Sequence, residues 1–448
     1  MPHHDLLIIG AGSGNTVVQD SYSGMDVAIV EPWVFGGTCL NRGCIPSKMF
    51  VHAADVALSA RRGEALGLHT SFDGVDWPAI RDRVFGRIDP IAAGGRDYRV
   101  GLENVTVYES SARFTGERCV DIDGEEVSAD QIVVAAGGRP VAPDLPGLAG
   151  VPFHTSDSIM RLDELPDHLV ILGGGFIAIE MAHVFEALGS RVTILHRSEL
   201  LLRGADDSVR ERITDIYAKR MDVRLNTTVA RVSHDDTFRL ELSDGSTLEA
   251  DQFLVATGRR PNTDTLNVEA GAIATNERGL ITTDEYLRTS AEGVWALGDI
   301  TNPAQLKHTA NAEARLLSHN LINPDDLWKI DNTLTPHAVF GYPQIGSVGK
   351  TEQELISSDT AHLVSIRNFS DIAYGWAMED TTGFVKLLAD PSTRLLLGAH
   401  IIGPHAPTLI QQLIQGMAAG LTVDVMARGQ LYVHPAMPEV LEQALLEL

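Results

Sequence analysis

The chain has 448 residues, 44% of them hydrophobic, and sets 60 acidic side chains against 35 basic ones for a formal charge of −25. That length suggests two to four domains, with ample apolar material for their cores. The acidity argues against nucleic-acid binding, which needs a basic footprint, and makes any local cluster of arginines conspicuous.

The N-terminus, Met1-Pro2-His3-His4-Asp5, lacks the basic n-region of a signal peptide. The apolar run Leu6 to Ile9 is too short for an h-region or a membrane span, so the expected location is the cytoplasm and no membrane partner is expected. That run instead predicts a buried strand entering the glycine turn Gly10-Ala11-Gly12-Ser13-Gly14-Asn15. A helical stretch is expected next, then a second strand, Val27 to Val30, ending at Glu31. Such a turn lets backbone approach a pyrophosphate, whose charge meets a helix N-terminus. The spacing departs from the usual pattern, with Gly14 one position early and Asn15 in the final place. Glu31 supplies an acceptor suited to ribose hydroxyls.

Cys39 and Cys44 follow, in Gly36-Gly37-Thr38-Cys39-Leu40-Asn41-Arg42-Gly43-Cys44-Ile45-Pro46-Ser47-Lys48, and they are two of only three cysteines. A chain without an export signal keeps its thiols reduced, so a close pair points to redox chemistry rather than stapling. Five positions along an ideal helix rise about 7.5 Å and set the side chains on different faces. A disulfide needs Cα atoms within roughly 4.4–6.8 Å, so the backbone must leave the regular helix, with Gly43 the point of give. A helix is predicted over about 48–62, and Lys48, four residues after Cys44, shares its face. Half a zinc site is excluded, because no second cysteine pair exists and Cys119 reads as a buried bystander in a strand.

The plan then repeats. Leu169 to Leu172 runs into Gly173-Gly174-Gly175-Phe176, with a helical stretch and the strand Val192 to Leu195 behind it. That strand ends in His196-Arg197, with Arg203 six positions on, and two arginines suit the 2′-phosphate of NADPH where a glutamate would suit NADH. The strand-like segments Asp130 to Pro140 and Asp251 to Pro261 also match, each behind a hairpin turn, Asp123-Gly124 and Asp244-Gly245. Gly10 and Gly173 lie 163 positions apart but Gly137 and Gly258 only 121, so the first copy carries about 42 extra residues, which include the cysteines. Beyond Asn262 come a strand ending in Gly298-Asp299, a helix over about 309–320, and from about 332 a third unit with strands near 384–388 and 395–402. The predicted fold is α/β: two Rossmann-like dinucleotide-binding domains, at 1–145 and 146–265, a segment 266–331 completing the first, and a C-terminal α+β domain at 332–448.

These motifs, in this order and with a final His434-Pro435-Ala436-Met437-Pro438-Glu439, resemble the FAD-dependent pyridine nucleotide-disulfide oxidoreductases over essentially the whole chain. The resemblance implies that Cys44 faces the flavin and Cys39 attacks the substrate disulfide, with Lys48 beside the flavin and Glu180 as its ion-pair partner. It implies FAD contacts at Gly10, Gly12, Gly14, Glu31, Gly37, Thr38, Lys48, Gly137, Gly298 and Asp299. NADPH contacts are implied at Gly173, Gly175, Phe176, Glu180, Arg197, Arg203 and Gly258, with Phe176 covering the flavin until the nicotinamide displaces it. His434 and Glu439 match the family's acid/base pair, contributed by the other subunit of a homodimer whose C-terminal domain forms the interface. The C-terminus has no cysteine, which argues against members with a further redox pair there. Gly14-Asn15 and the segments Leu306 to Arg315 and Tyr432 to Glu439 look most like the members that reduce mycothione, a low-molecular-weight thiol disulfide. Glutathione reduction and NAD-dependent dihydrolipoamide oxidation are the alternatives.

Overall fold

A computed structural model describes residues 1–448. β1 (His3–Ile9), β2 (Val27–Val30), β3 (Val105–Tyr108), β4 (Ala112–Gly116), β5 (Cys119–Ile122) and β6 (Glu125–Val134) form one sheet in the order β3-β2-β1-β6-β5-β4. β1 is parallel to β2 and β6, whereas β5 and β6 form an antiparallel hairpin. At its turn Asp123 has φ +53° and Gly124 φ +85°, the paired positive values that match strand twist. The later strand Val294–Ala296 adds in parallel to β6, so a distant stretch of chain completes this sheet. Both its faces are covered, which explains why β1 and β2 read as unbroken apolar runs.

The second copy has a parallel sheet of Asp222–Arg224, Arg191–Leu195, His168–Leu172 and Gln252–Val255, in that spatial order. The echoed Gly-Arg-Pro and Arg-Arg-Pro segments pair with each other, Gly138–Pro140 running antiparallel to Arg259–Pro261. The duplicated sequence thus meets itself at the joint between the copies. The C-terminal sheet is antiparallel, in the order His337–Val339, Ile345–Gly349, Leu396–Ile402, Phe384–Ala389, Leu363–Asn368. No helix is long and apolar enough to cross a membrane.

Between β2 and β3 lie three helices, α1 (Gly37–Arg42), α2 (Cys44–Arg62) and α3 (Trp77–Val100), where the second copy has only Asp207–Arg220. Sequence periodicity finds α2 but not α3, whose Gly86, Pro90, Gly94 and Gly95 are poor helix formers. α3 is held by what it covers: Trp77, Val84, Phe85 and Ile88 are buried in one core with Phe50 and Ala54 of α2 and Phe185 of α4 (Phe176–Leu188).

One expectation fails. The helical stretch predicted after the first glycine turn is absent: Gly14–Thr16 and Asp20–Tyr22 form two single 3₁₀ turns before β2. The segment is Thr16-Val17-Val18 followed by Asp20, Ser21, Ser23 and Gly24, β-branched residues and then turn formers, which disfavour a helix interior. The second copy does form its helix, α4, from Phe-Ile-Ala-Ile-Glu-Met-Ala-His-Val-Phe-Glu-Ala-Leu.

A buried ion cluster ties the second copy to the C-terminal sheet. Lys386 is 1% exposed and donates to Asp206 (2.8 Å), which is fully buried, and to Ser208 (3.0 Å). Glu352 pairs with the same ammonium at 2.6 Å, and its backbone N–H donates to Asp206 at 3.0 Å. Removing one partner of such a set strands the others without compensation.

Candidate active site

The cysteine pair sits across a break between helices. α1 ends at Arg42, Gly43 has φ −135° and ψ −120°, and α2 begins at Cys44. A Cβ on Gly43 would come within 2.8 Å of the Thr38 carbonyl oxygen, so a bulkier residue would force the two helix ends apart. Asn41 anchors α1, donating to the carbonyls of Phe35 (2.9 Å) and Gly37 (3.0 Å). The two thiols share a hydrogen bond that divides their acidities. Accepting it, with help from the Lys48 charge and against burial, holds the Cys44 thiol below its ordinary range. Donating it, with burial adding to the effect, raises Cys39.

Lys48, one helical turn beyond Cys44, donates to both carboxylate oxygens of Glu180 at 2.7 Å. Glu180 is 3% exposed and also accepts the Phe340 N–H at 3.0 Å. The Phe340 ring lies 4.6 Å from the Lys48 ammonium, adding a cation–π contact. A buried carboxylate is tolerable only with such partners.

A cavity of about 670 Å³ gathers most of the predicted residues. Gly10, Gly12, Glu31, Gly37 and Thr38 line it with Cys39, Cys44, Lys48, Gly137, Phe176, Glu180, Gly298 and Asp299. Gly10 has φ +110°, and a Cβ there would approach the Ala135 carbonyl oxygen to 2.4 Å. Gly173 repeats this in the second copy, φ +140° and 2.3 Å from the Ala256 carbonyl oxygen. Gly37 faces Gly12 so closely that a Cβ on it would lie 2.8 Å from the Gly12 Cα, leaving an open backbone cradle. Glu31 accepts the N–H groups of Ala11 (2.7 Å) and Trp33 (3.0 Å). Burial pushes its carboxyl upward against those bonds, and burial likewise raises Asp299 against the charges of Arg259 and Lys307. An acceptor at one end, bare backbone beside it and a lysine next to thiols at the other fit an elongated flavin dinucleotide.

Gly14 lies just behind this lining. Gly173, Gly175, Gly258, Arg197 and Arg203 lie outside it, and Phe176, 49% exposed, stands between the second glycine turn and the cavity. Arg197 and Arg203 are exposed, and neither has a carboxylate within 4.0 Å. His434 and Glu439 do not line the cavity of their own chain either. The His434 Nδ1 bonds Glu439 Oε1 at 2.7 Å, while Oε2 accepts the Ala436 N–H at 3.1 Å. The imidazole holds the Glu439 carboxyl below the usual range. The His434 side chain is 72% exposed, and Leu431 and Val433 beside it are 98% and 71% exposed, an apolar edge that a second protein surface would cover.

Residues 4–314 match the family model for pyridine nucleotide-disulphide oxidoreductase, and residues 335–445 match the dimerisation domain of the same family. The chain belongs to that family. A mycothione reductase of Mycobacterium tuberculosis is 48% identical over 459 aligned positions, covering all of both chains. A glutathione reductase of Burkholderia cepacia is 34% identical, with 97% of each chain covered. Among solved structures, the HOCl-induced flavoprotein disulfide reductase RclA of Escherichia coli superposes with a TM-score of 0.87 at 30% identity, covering 98% of this chain and 99% of that one.

As a pyridine nucleotide-disulphide oxidoreductase the chain is an FAD-dependent, pyridine nucleotide-linked disulfide reductase, and it pairs with a second copy through its dimerisation domain. Three residues in or beside this oxidoreductase's cavity were given no role by the sequence. Arg42 lies between the cysteines, pairs with Asp157 at 3.2 Å and stands 5.4 Å from the Trp33 ring. Phe340 arrives from 160 residues beyond Glu180. Lys307 donates to Ser13 at 2.9 Å. Only Arg42 gave a signal, as a cation between two thiols.

The split thiol acidities give a measurable expectation. Titrating the reduced oxidoreductase by thiolate absorbance should show the first proton leaving Cys44 below the ordinary thiol value of about 8.5 and the second leaving Cys39 above it. Lys48→Met should move the first step upward, since it removes a charge favouring the thiolate. A single step near the ordinary value would contradict the shared hydrogen bond.

Proposed function

We propose that the chain reduces mycothione to mycothiol at the expense of NADPH, in the cytoplasm, with each active site completed by the partner subunit. The observation that carries this is the Cys39–Cys44 pair, with its unequal thiols, in one cavity with the Lys48–Glu180 ion pair. Full-length identity of 48% to a mycothione reductase supports the substrate. Segments 1–145 and 266–331 would hold FAD, 146–265 the nicotinamide nucleotide, and 332–448 the subunit interface.

FAD, held by the Gly10, Gly12 and Gly37 backbone with Glu31 and Asp299, would supply the electron pair, received as hydride from reduced nicotinamide, that opens the Cys39–Cys44 disulfide. The chain's residues do the rest. Lys48 brings a positive charge to the site where electrons arrive, and Glu180 keeps that charge compensated when no anion is near. Cys44 holds the negative charge of the opened disulfide, which frees Cys39 for attack. The raised Cys39 thiol needs a base, and the partner's copy of His434 takes its proton. Cys39 then attacks one sulfur of the substrate disulfide, forming a mixed disulfide and expelling one thiolate, which the imidazolium protonates. The Cys44 thiolate attacks the Cys39 sulfur of the mixed disulfide, restoring the internal disulfide and expelling the second thiolate, which takes its proton from solvent. Two electrons and two protons are consumed per disulfide. Glu439 holds the histidine ring by Nδ1 so that Nε2 faces the substrate.

Steady-state rates with mycothione, oxidised glutathione and lipoamide, each with NADPH and NADH, test the reading. Mycothione with NADPH should give the highest kcat/KM. Arg197→Ala and Arg203→Ala should each raise the KM for NADPH by roughly 10-fold, the loss of one charge-assisted hydrogen bond, with little change for NADH. Turnover of lipoamide with NADH and none of mycothione would sink the assignment.

A further inference from the structure

In the second copy the glycine turn feeds a 13-residue helix, α4. In the first copy it feeds one 3₁₀ turn of 3 residues, Gly14–Thr16. A regular helix presents aligned N–H groups and about half a positive charge to an anion at its N-terminus. A single turn has neither the length nor the aligned peptides to do so. The cradle of Gly10, Gly12 and Gly37 is therefore built for close backbone approach but lacks the charge that normally accompanies it.

Two cations from elsewhere occupy the places a helix would fill. Arg99 of α3, 8% exposed, donates Nε to the Asn15 side chain (2.7 Å) and Nη2 to the carbonyls of Asn15 (2.7 Å) and Val18 (3.0 Å). These carbonyls would point along a helix if one existed. Lys307, the first residue of the helix Lys307–Asn320, lies on the cavity side and donates to the Ser13 hydroxyl of the glycine turn at 2.9 Å. No carboxylate lies within 4.0 Å of its ammonium, in contrast to Lys48 and its Glu180. The helix that carries it is fastened to the short segment. Ser318 donates to the Val17 carbonyl at 2.7 Å, and Tyr22 donates to the Ser318 carbonyl at 2.7 Å.

We propose that Lys307 supplies, from nearly 300 residues away, the positive charge that the FAD pyrophosphate would otherwise meet at a helix N-terminus, while Arg99 holds the shortened turn in shape. This rests on the reading that the first glycine turn holds FAD. An unpaired ammonium on the turn's own hydroxyl is placed for a phosphate oxygen, and a charge-assisted bond there is worth more than neutral N–H contacts. Its field also reaches the Cys39 thiol and opposes that thiol's upward shift, so the experiment must separate the two effects.

FAD binding to deflavinated enzyme, followed by flavin fluorescence at several salt concentrations, separates them. Wild-type apoenzyme must bind FAD, and failure there overturns the location of the cofactor itself. Lys307→Gln keeps a hydrogen-bond donor but removes the charge. It should weaken FAD binding roughly 10- to 100-fold at low salt, the range for one charge-assisted contact, and the gap should narrow as salt rises. Lys307→Arg should recover most of the affinity and, by retaining charge and length, also controls for folding. The proposal is overturned if Lys307→Gln binds FAD as tightly as wild type, if its deficit ignores salt, or if it alters disulfide turnover while FAD affinity stays put.

Discussion

Cys39→Ser should remove disulfide turnover almost completely, by at least about 10³- to 10⁴-fold in kcat, the scale seen when a nucleophile is deleted from a catalytic set. A hydroxyl at residue 39 can still donate to Cys44, so the local hydrogen bond and the fold should survive. A hydroxyl cannot, however, be deprotonated by a neutral imidazole to any useful extent. Oxidation of NADPH by a small one-electron oxidant such as ferricyanide should continue, because it needs neither Cys39 nor His434. The two cysteines are also distinguishable. Long-wavelength absorbance from a thiolate beside oxidised flavin should appear in Cys39→Ser and be missing from Cys44→Ser, because Cys44 is the residue whose thiolate is favoured. Absorbance that survives Cys44→Ser would reverse the assigned roles, and a Cys39→Ser enzyme with more than a tenth of normal turnover would remove Cys39 from the mechanism.

His434→Gln should lower kcat by about 10²- to 10⁴-fold, the usual contribution of a positioned acid/base. The sharper result concerns where that histidine works. It is absent from the cavity of its own chain and stands on an exposed apolar edge. Subunit exchange between inactive Cys39→Ser and inactive His434→Gln dimers tests this directly. If the site is shared, a mixed dimer concentrates both defects in one site and leaves the other intact. Statistical mixing should then restore roughly a quarter of the wild-type rate, since half of the dimers are mixed and one site in two is whole. If each chain uses its own histidine, every site keeps a defect and the mixture stays inactive.

Residues that act on near neighbours are legible in the sequence alone. The break at Gly43 followed from the spacing of two cysteines and the geometry of a helix. Lys48 followed from the four-residue repeat, and the insertion from two unequal offsets. What failed was local pattern carrying the wrong meaning. A duplicated plan suggested a helix after the first glycine turn, yet Thr16-Val17-Val18 and the turn formers behind them could not sustain one. Conversely, α3 forms through tertiary burial of Trp77 and Phe85 despite its glycines and Pro90. Arg99, Lys307 and Phe340 could not be found at all, because each partner lies 80 to 300 positions away and one sequence carries no record of such distances.

The Lys386–Asp206–Glu352 cluster bears on the loop that carries Arg203. That loop is fastened at its start by the Leu202 N–H on the Gly174 carbonyl (2.8 Å) and the Leu201 N–H on Thr214 (3.0 Å). Its end is fastened by Asp206 on Lys386, and Gln353 donates to the Ala205 carbonyl at 2.8 Å. A free loop loses about 1–2 kcal/mol of entropy per residue when it is ordered, and a ligand that ordered it would bind that much more weakly. Here the ordering is complete once the chain has folded, so a dinucleotide meets a preorganised rim. With Arg203 on the 2′-phosphate, as proposed above, discrimination between phosphorylated and unphosphorylated forms would rest on the charge contacts themselves, undiluted by loop closure.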